Sequence, residues 1–170
     1  MIRQAAEQDL KRINEMVMKT VAIMKSEGND QWDETYPKMD QFRTDLRNGT
    51  LYVKQENDDV IGSITMDQNF PKEYDGIQWT SKFALSFTFH RLVVDPEARK
   101  SGMASELIEF TEKEAASKGA RFMKIDTYSL NEKAQKLLVR NGYVKVGEMS
   151  FHGKENHFYC YEKRISDTFI

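Results

Sequence analysis

The run FALSFTFHRLVV, residues 83–94, reads as one long strand, and directly after it the apolar period changes. β-Branched and aromatic residues dominate as far as Asp95-Pro96. From Gly102 onward, Leu107, Ile108, Thr111 and Ala115 recur on one helical face, with Gly119 as the C-terminal cap. The alternation then repeats. RFMKIDT is a second strand, Asn131 stands where it can cap a helix carrying Ala134, Leu137 and Leu138, and Gly142 ends that helix. Strand, helix, strand and helix in direct succession place helices on the faces of a sheet.

Other patterns lie on either side of this alternation. An extended start, MIRQA, precedes a helical stripe of Leu10, Ile13, Met16, Val17, Val21 and Met24 that Gly28 closes. An aromatic, polar stretch follows, read as a loop and then a helix around residues 38–48. LYVKQE and VIGSITMD flank Asn57-Asp58-Asp59 as a hairpin, and YVKVGEM and HFYCYEK flank a turn at Gly153 as another strand pair. Residues 68–82, QNFPKEYDGIQWTSK, read as an irregular excursion. The expectation is an α/β fold in a single domain over residues 1–170, with a mixed, mostly antiparallel central sheet flanked by helices.

A chain of 170 residues is long enough to bury a real core. Its 25 basic and 27 acidic side chains argue against the basic face that nucleic-acid binding needs. Cys160 is the single cysteine, so no intrachain disulfide is possible. The N-terminal stretch has no apolar signal core and no run approaches a membrane span, so a reduced, cytoplasmic protein without a membrane partner is expected. His152, Glu155 and His157 cluster near the Gly153 turn, but no Cys or His pair has zinc spacing, and no metal is expected.

The junction between the long strand and its helix carries chemistry. Arg99, Lys100, Ser101 and Gly102 stand where the first helical amides lack internal partners and the helix dipole is positive. Such a turn suits a phosphate or pyrophosphate. Gly102 removes a side chain from the approach to the backbone, Ala104 stays small, and Arg99 and Lys100 add charge-assisted donors. A P-loop is excluded because no Gly-Lys-Ser/Thr is present, and a dinucleotide fingerprint because Gly-x-Gly-x-x-Gly is absent.

Leu92-x-Val94-x-Pro96 followed by Arg99-x-x-Gly102-x-Ala104 resembles the acetyl-CoA-binding motif of the GNAT superfamily of N-acetyltransferases. Asn131, Ala134, Leu137, Gly142 and Tyr143 resemble the family's Asn-x-x-Ala-x-x-Leu-Tyr-x-x-x-Gly-Phe segment, and the two blocks stand in register. The resemblance implies a GNAT-like acyl-CoA N-acyltransferase fold with acetyl-CoA as cosubstrate. It implies that the strand splays near Leu92, Val93 and Val94, and that the backbone there and over Arg99, Lys100, Ser101, Gly102, Met103, Ala104 and Ser105 holds the donor, with Asn131 beside it. The implied activity is acetyl transfer to a primary amine, in a small molecule or a peptide, by direct attack on the thioester. A homodimer is in keeping with families of this kind.

Transfer to an amine needs a proton acceptor and a donor for the leaving thiolate. His90 lies in His-x-Leu-x-Val, and some family members place a histidine on this strand as the base; an intrinsic pKa of about 6.5 suits that role. Asp67 is a second candidate, and a structural histidine the alternative. Many family members carry a tyrosine acid just after the leucine that Leu137 matches, but here the residue is Leu138, so Tyr128 or Tyr143 would have to serve. That departure keeps open a second function, a non-catalytic acetyl-CoA or CoA-binding sensor or interaction module. On the acceptor side, Trp32 and Tyr36 sit among Asp30, Asp33 and Glu34, a composition able to hold a cationic amine.

Overall fold

The apolar stripe at residues 10–24 forms the buried face of helix α1 (Leu10–Ser26): Leu10, Ile13, Met16, Val17 and Val21 are buried, with Met24 at the margin. The computed structural model describes residues 1–98 and 102–166. Along the chain follow β1 (Ile2–Gln4), α1, α2 (Met39–Arg47), β2 (Leu51–Glu56), β3 (Asp59–Asp67) and β4 (Ser86–Val94). The remaining elements are α3 (Met103–Ser117), β5 (Phe122–Tyr128), α4 (Glu132–Arg140), β6 (Val144–Met149) and β7 (Phe158–Arg164). The fold is mixed α/β, with a seven-stranded, mostly antiparallel sheet, as the sequence pattern requires. Two compact units are discernible: Met1–Met66 with His90–Phe110, and Asp67–Phe89 with the chain from Thr111 onward.

In the first unit β1, β2 and β3 form an antiparallel meander, with Arg3 opposite Val53 and Val53 opposite Ser63. Asp59 pairs with Glu56, so the hairpin turn is the two residues Asn57 and Asp58, at φ 48° and 66°. Two left-handed residues match the twist of the flanking strands, which is why Asn and Asp stand there. β3 is buried on both faces, Val60, Ile61, Ile64 and Met66 alternating with Ser63 and Thr65, and so does not read as a half-polar strand. The α1 stripe, Phe42 of α2, Leu51, Val53, Val60 and Val93 form one core. Each large aliphatic side chain buried there contributes about 1.5–3 kcal/mol.

In the second unit β7 lies between β5 and β6, antiparallel to both, and Lys124, Asp126 and Tyr128 of β5 stand opposite Glu162, Cys160 and Phe158. The start of β4 runs parallel to β5 over Ser86↔Phe122 and Phe87↔Met123. The long strand begins later than its sequence suggests. Residues Phe83–Leu85 form a 3-10 turn in which the Leu85 amide donates to the Lys82 carbonyl at 3.1 Å, and the Ser86 hydroxyl donates to that carbonyl at 2.9 Å. The excursion before it is compact rather than loose. Its Tyr74 is buried with Tyr128, Met149, Phe158 and Cys160, and Phe70, Ile77, Trp79 and Phe83 cover them. No described helix is long and apolar enough to cross a membrane.

Candidate functional site

The end of β4 is held by its own turn. Val93 and Val94 are buried, and Leu92 is half-buried. The Asp95 amide donates to the Ile61 carbonyl at 2.9 Å, and the Ala98 amide to the Asp95 carbonyl at 3.1 Å. The Asp95 carboxylate accepts the Glu97 amide at 2.9 Å and pairs with Arg12 of α1. Burial would raise this carboxyl, but the Glu97 amide and the Arg12 guanidinium outweigh it and hold it below the usual range. Proline after a carboxylate that locks the turn explains why the strand stops there.

Arg99, Lys100 and Ser101 lie outside the described residues. Gly102 has φ +92°, a conformation L side chains rarely adopt, and a Cβ built there meets nothing within 4 Å. Its carbonyl accepts the Glu106 amide at 2.9 Å and so begins α3. Met103, Leu107 and Ile108 are buried and anchor the helix, while Ala104 and Ser105 are half-buried on its first turn. Lys54 reaches the Glu106 carboxylate at 2.5 Å, and a carboxylate in the first turn also suits the helix dipole. Gly62 lets α3 and β4 approach β3 closely: a Cβ there would stand 2.9 Å from Leu107 Cδ1 and 3.4 Å from the Val93 carbonyl oxygen. Space at Gly102, the turn that Asp95 holds over residues 95–98 and a helix anchored by Met103, Leu107 and Ile108 fit a diphosphate-bearing donor.

His90 is half-buried on β4. Its neighbour Arg91 is at φ +51°, and the guanidinium bonds Asp45 through Nε at 2.7 Å and Nη2 at 2.8 Å and the Tyr36 hydroxyl through Nη1 at 2.9 Å. Thr65 donates to the same Asp45 carboxylate at 2.8 Å. Tyr36 is therefore held by its hydroxyl, and Trp32, 8% exposed, belongs to the core of this unit. Asp67, at the end of β3, accepts the Asn69 amide at 3.0 Å.

In the second unit Tyr128 is fully buried, its ring 4.9 Å from that of Phe158, and its hydroxyl accepts from Asn156 at 3.4 Å. The Tyr143 hydroxyl donates to Glu112 at 2.8 Å; burial, and then the Glu112 charge, hold that phenol well above its ordinary range. Leu138 is buried. Asn131 caps α4, its side-chain oxygen accepting the Ala134 amide at 3.1 Å, so sequence and structure agree on that role. Among the described residues, no group of three or more His, Cys, Asp and Glu side chains is arranged to hold a metal ion.

Two buried polar clusters in this unit escape sequence reasoning. The Tyr74 hydroxyl donates to Asp126 at 2.6 Å, and Cys160 lies nearby; burial, and then the Asp126 charge, push its thiol up to about 12, which rules out a reactive thiolate. Lys124, with no exposed side-chain surface, bonds Glu162 at 2.7 Å and the Ser81 carbonyl at 2.9 Å. The only sequence signal for either was a charged residue inside a strand otherwise free to be apolar.

The family model described as Acetyltransferase (GNAT) family matches residues 17–143. A search of curated proteins returned no match. Among solved structures, a Staphylococcus aureus Mu50 protein assigned to the acetyltransferases is 31% identical, with TM-score 0.77, over 98% of this chain and 99% of that one. A GNAT-family acetyltransferase of Streptococcus agalactiae 2603 has TM-score 0.81 at 23% identity, covering 96% and 94%. The Salmonella typhimurium protein YncA, solved with acetyl-CoA, has TM-score 0.70 at 16% identity, covering 100% and 96%. The last two likenesses speak to fold.

Proposed function

Given that this chain belongs to the GNAT family of acetyltransferases, we propose that it transfers an acetyl group from acetyl-CoA to a primary amine, in a small molecule or a peptide. The observation that carries this reading is the β4–turn–α3 connection: Asp95 locks the turn, and Gly102 opens a 15-residue helix from a left-handed conformation with free space where a side chain would be. Acetyl-CoA supplies the activated thioester. The backbone from Leu92 to Val94 and from Gly102 to Ser105 would hold it, joined by Arg99, Lys100 and Ser101, with Asn131 as a further contact. Donors already oriented toward the developing oxyanion are worth on the order of 10²–10³ each in rate.

The amine nitrogen attacks the thioester carbonyl, the new C–N bond replaces the C–S bond, the ammonium proton passes to a base, and the thiolate takes up a proton. His90 is the proposed base, and Tyr128 the proposed acid. Trp32 and Tyr36 are the proposed acceptor contacts, Trp32 through its small exposed edge. The reading places the protein in the cytoplasm, where acetyl-CoA is made and used, without a metal; a homodimer fits it.

A second reading, a CoA-binding module without turnover, draws on Leu138, a buried hydrocarbon where many family members carry the acid. A thiol-release assay with acetyl-CoA and a panel of polyamines, aminoglycosides, amino acids and peptides separates the two. Amine-dependent CoA release supports the enzyme. Saturable acetyl-CoA binding without release from any amine supports the module, and then His90→Ala has no effect to measure.

A further inference from the structure

Arg91 combines two features that rarely occur together. It is a side chain with a Cβ held at φ +51° inside a strand, and its guanidinium is almost wholly enclosed, with 13% of the side chain exposed against 6% for its partner Asp45. A non-glycine residue in the left-handed region is destabilised relative to an ordinary strand conformation and persists only where its surroundings over-determine it. The surroundings here are explicit. Both Asp45 oxygens accept from Arg91, the Tyr36 hydroxyl accepts a third N–H, and Thr65 fixes the Asp45 carboxylate from β3.

We propose that Arg91 is a positioning residue: its grip on Asp45 and Tyr36 holds the β4 backbone in a left-handed kink between His90 and Leu92. The kink sits within the half-buried run His90, Arg91 and Leu92, directly before the buried Val93 and Val94. It thereby sets the direction of the main-chain groups from Leu92 to Val94 and the aim of the His90 side chain. The same grip fixes Tyr36 from its hydroxyl end. This inference rests on the reading above for its consequence in catalysis, but its claim about the backbone stands on the geometry alone.

The decisive comparison sets wild type against two double variants that remove the same contacts, Asp45→Asn/Arg91→Gly and Asp45→Asn/Arg91→Ala. Asparagine spares the cluster an orphaned buried charge, and Thr65 can still bond its side-chain oxygen. Glycine adopts φ +51° freely, and alanine does not. The two readouts are amide chemical shifts of residues 90–95 in a ¹⁵N-labelled sample and kcat with the amine found in the panel. Both pairs lack the grip, so both are expected to lose the kink, with displaced shifts at residues 92–95 and a kcat at least about tenfold lower than wild type, because small misplacements near the reacting atoms are amplified in rate. The glycine pair is the stringent case, because glycine can keep φ +51° without strain and only the lost grip would then displace the strand. Wild-type-like shifts and kcat in the glycine pair would overturn the proposal, because the kink would then stand without the grip. If wild type neither binds acetyl-CoA nor releases CoA, the functional reading fails on its own, and the shifts still decide whether Arg91 holds the kink.

Discussion

Replacing Lys124 by methionine is the perturbation whose cost follows most directly from the structure. The ammonium has no exposed surface, lies 2.7 Å from Glu162, itself 4% exposed, and stands 5.0 Å from the centre of the Trp79 ring. The same carboxylate accepts the Thr80 amide at 2.8 Å and the Thr80 hydroxyl at 2.7 Å, and Ser81 donates to it as well. Burial alone would raise the Glu162 carboxyl, but Lys124, Ser81 and Thr80 together keep it below the usual range and so ionised at neutral pH. Methionine fills the volume but leaves that charge buried without a cation. Breaking one side of a buried pair costs about 3–5 kcal/mol, a large share of the roughly 5–15 kcal/mol that holds a domain together. At about 2–4 °C per kcal/mol for a chain of this length, Tm should fall by about 6–20 °C in calorimetry. Adding Glu162→Gln removes the orphaned charge while keeping an acceptor for Thr80, and should recover at least half of the loss. A Lys124→Met variant within about 1 kcal/mol of wild type, or a double variant no better than the single, would refute the assignment of this network as a buried, mutually dependent pair.

Two further outcomes follow from local geometry. Asn131→Ala removes the side-chain cap of α4 and should cost about 1 kcal/mol, read as a small fall in the urea midpoint at unchanged m value. Asp9 accepts from Arg3 at 2.8 and 3.0 Å and from the Ala6 amide at 2.7 Å, and the Arg3 bond leads in holding its carboxyl below the usual range. Its stabilisation is present above the unfolded pKa of about 3.9 and is lost as pH falls through the lower folded value. Asp9→Asn should therefore lose less stability than wild type on acidification from about pH 5 downward, and parallel acid limbs in the two would contradict it.

The fold was legible wherever one face of an element decided its period. The α1 stripe and the Asn131 cap each carry a local signal and formed as that signal requires, whereas the turn read over Asn57, Asp58 and Asp59 closes on Asn57 and Asp58 alone, Asp59 already pairing in β3. Reading failed where a distant partner decided the outcome. The excursion of residues 68–82 is tied across the chain by Thr80 and Ser81 to Glu162 and by Tyr74 to Asp126, whereas Phe83–Leu85, despite its strand composition, is turned by local hydrogen bonds to the Lys82 carbonyl. At the junction, the place of Gly102 just before a helix was legible and α3 begins directly after it, but its φ of +92° was not. Arg91 was not, since a positively charged residue within a strand shows neither its backbone conformation nor the Asp45 and Tyr36 that enclose it.

The central claim is that the turn at Gly102 receives acetyl-CoA, and isothermal titration of wild type, Gly102→Ala and Gly102→Glu with acetyl-CoA tests it most directly. Both substitutions impose the same left-handed strain, about 1–2 kcal/mol, and the Cβ that each adds meets nothing within 4 Å, so their Tm values should agree. The account predicts saturable one-to-one binding to wild type, modestly weaker binding to Gly102→Ala, and none to Gly102→Glu, where a carboxylate faces the phosphates. Equal dissociation constants for the alanine and glutamate variants, or no binding by wild type at millimolar ligand, would contradict it.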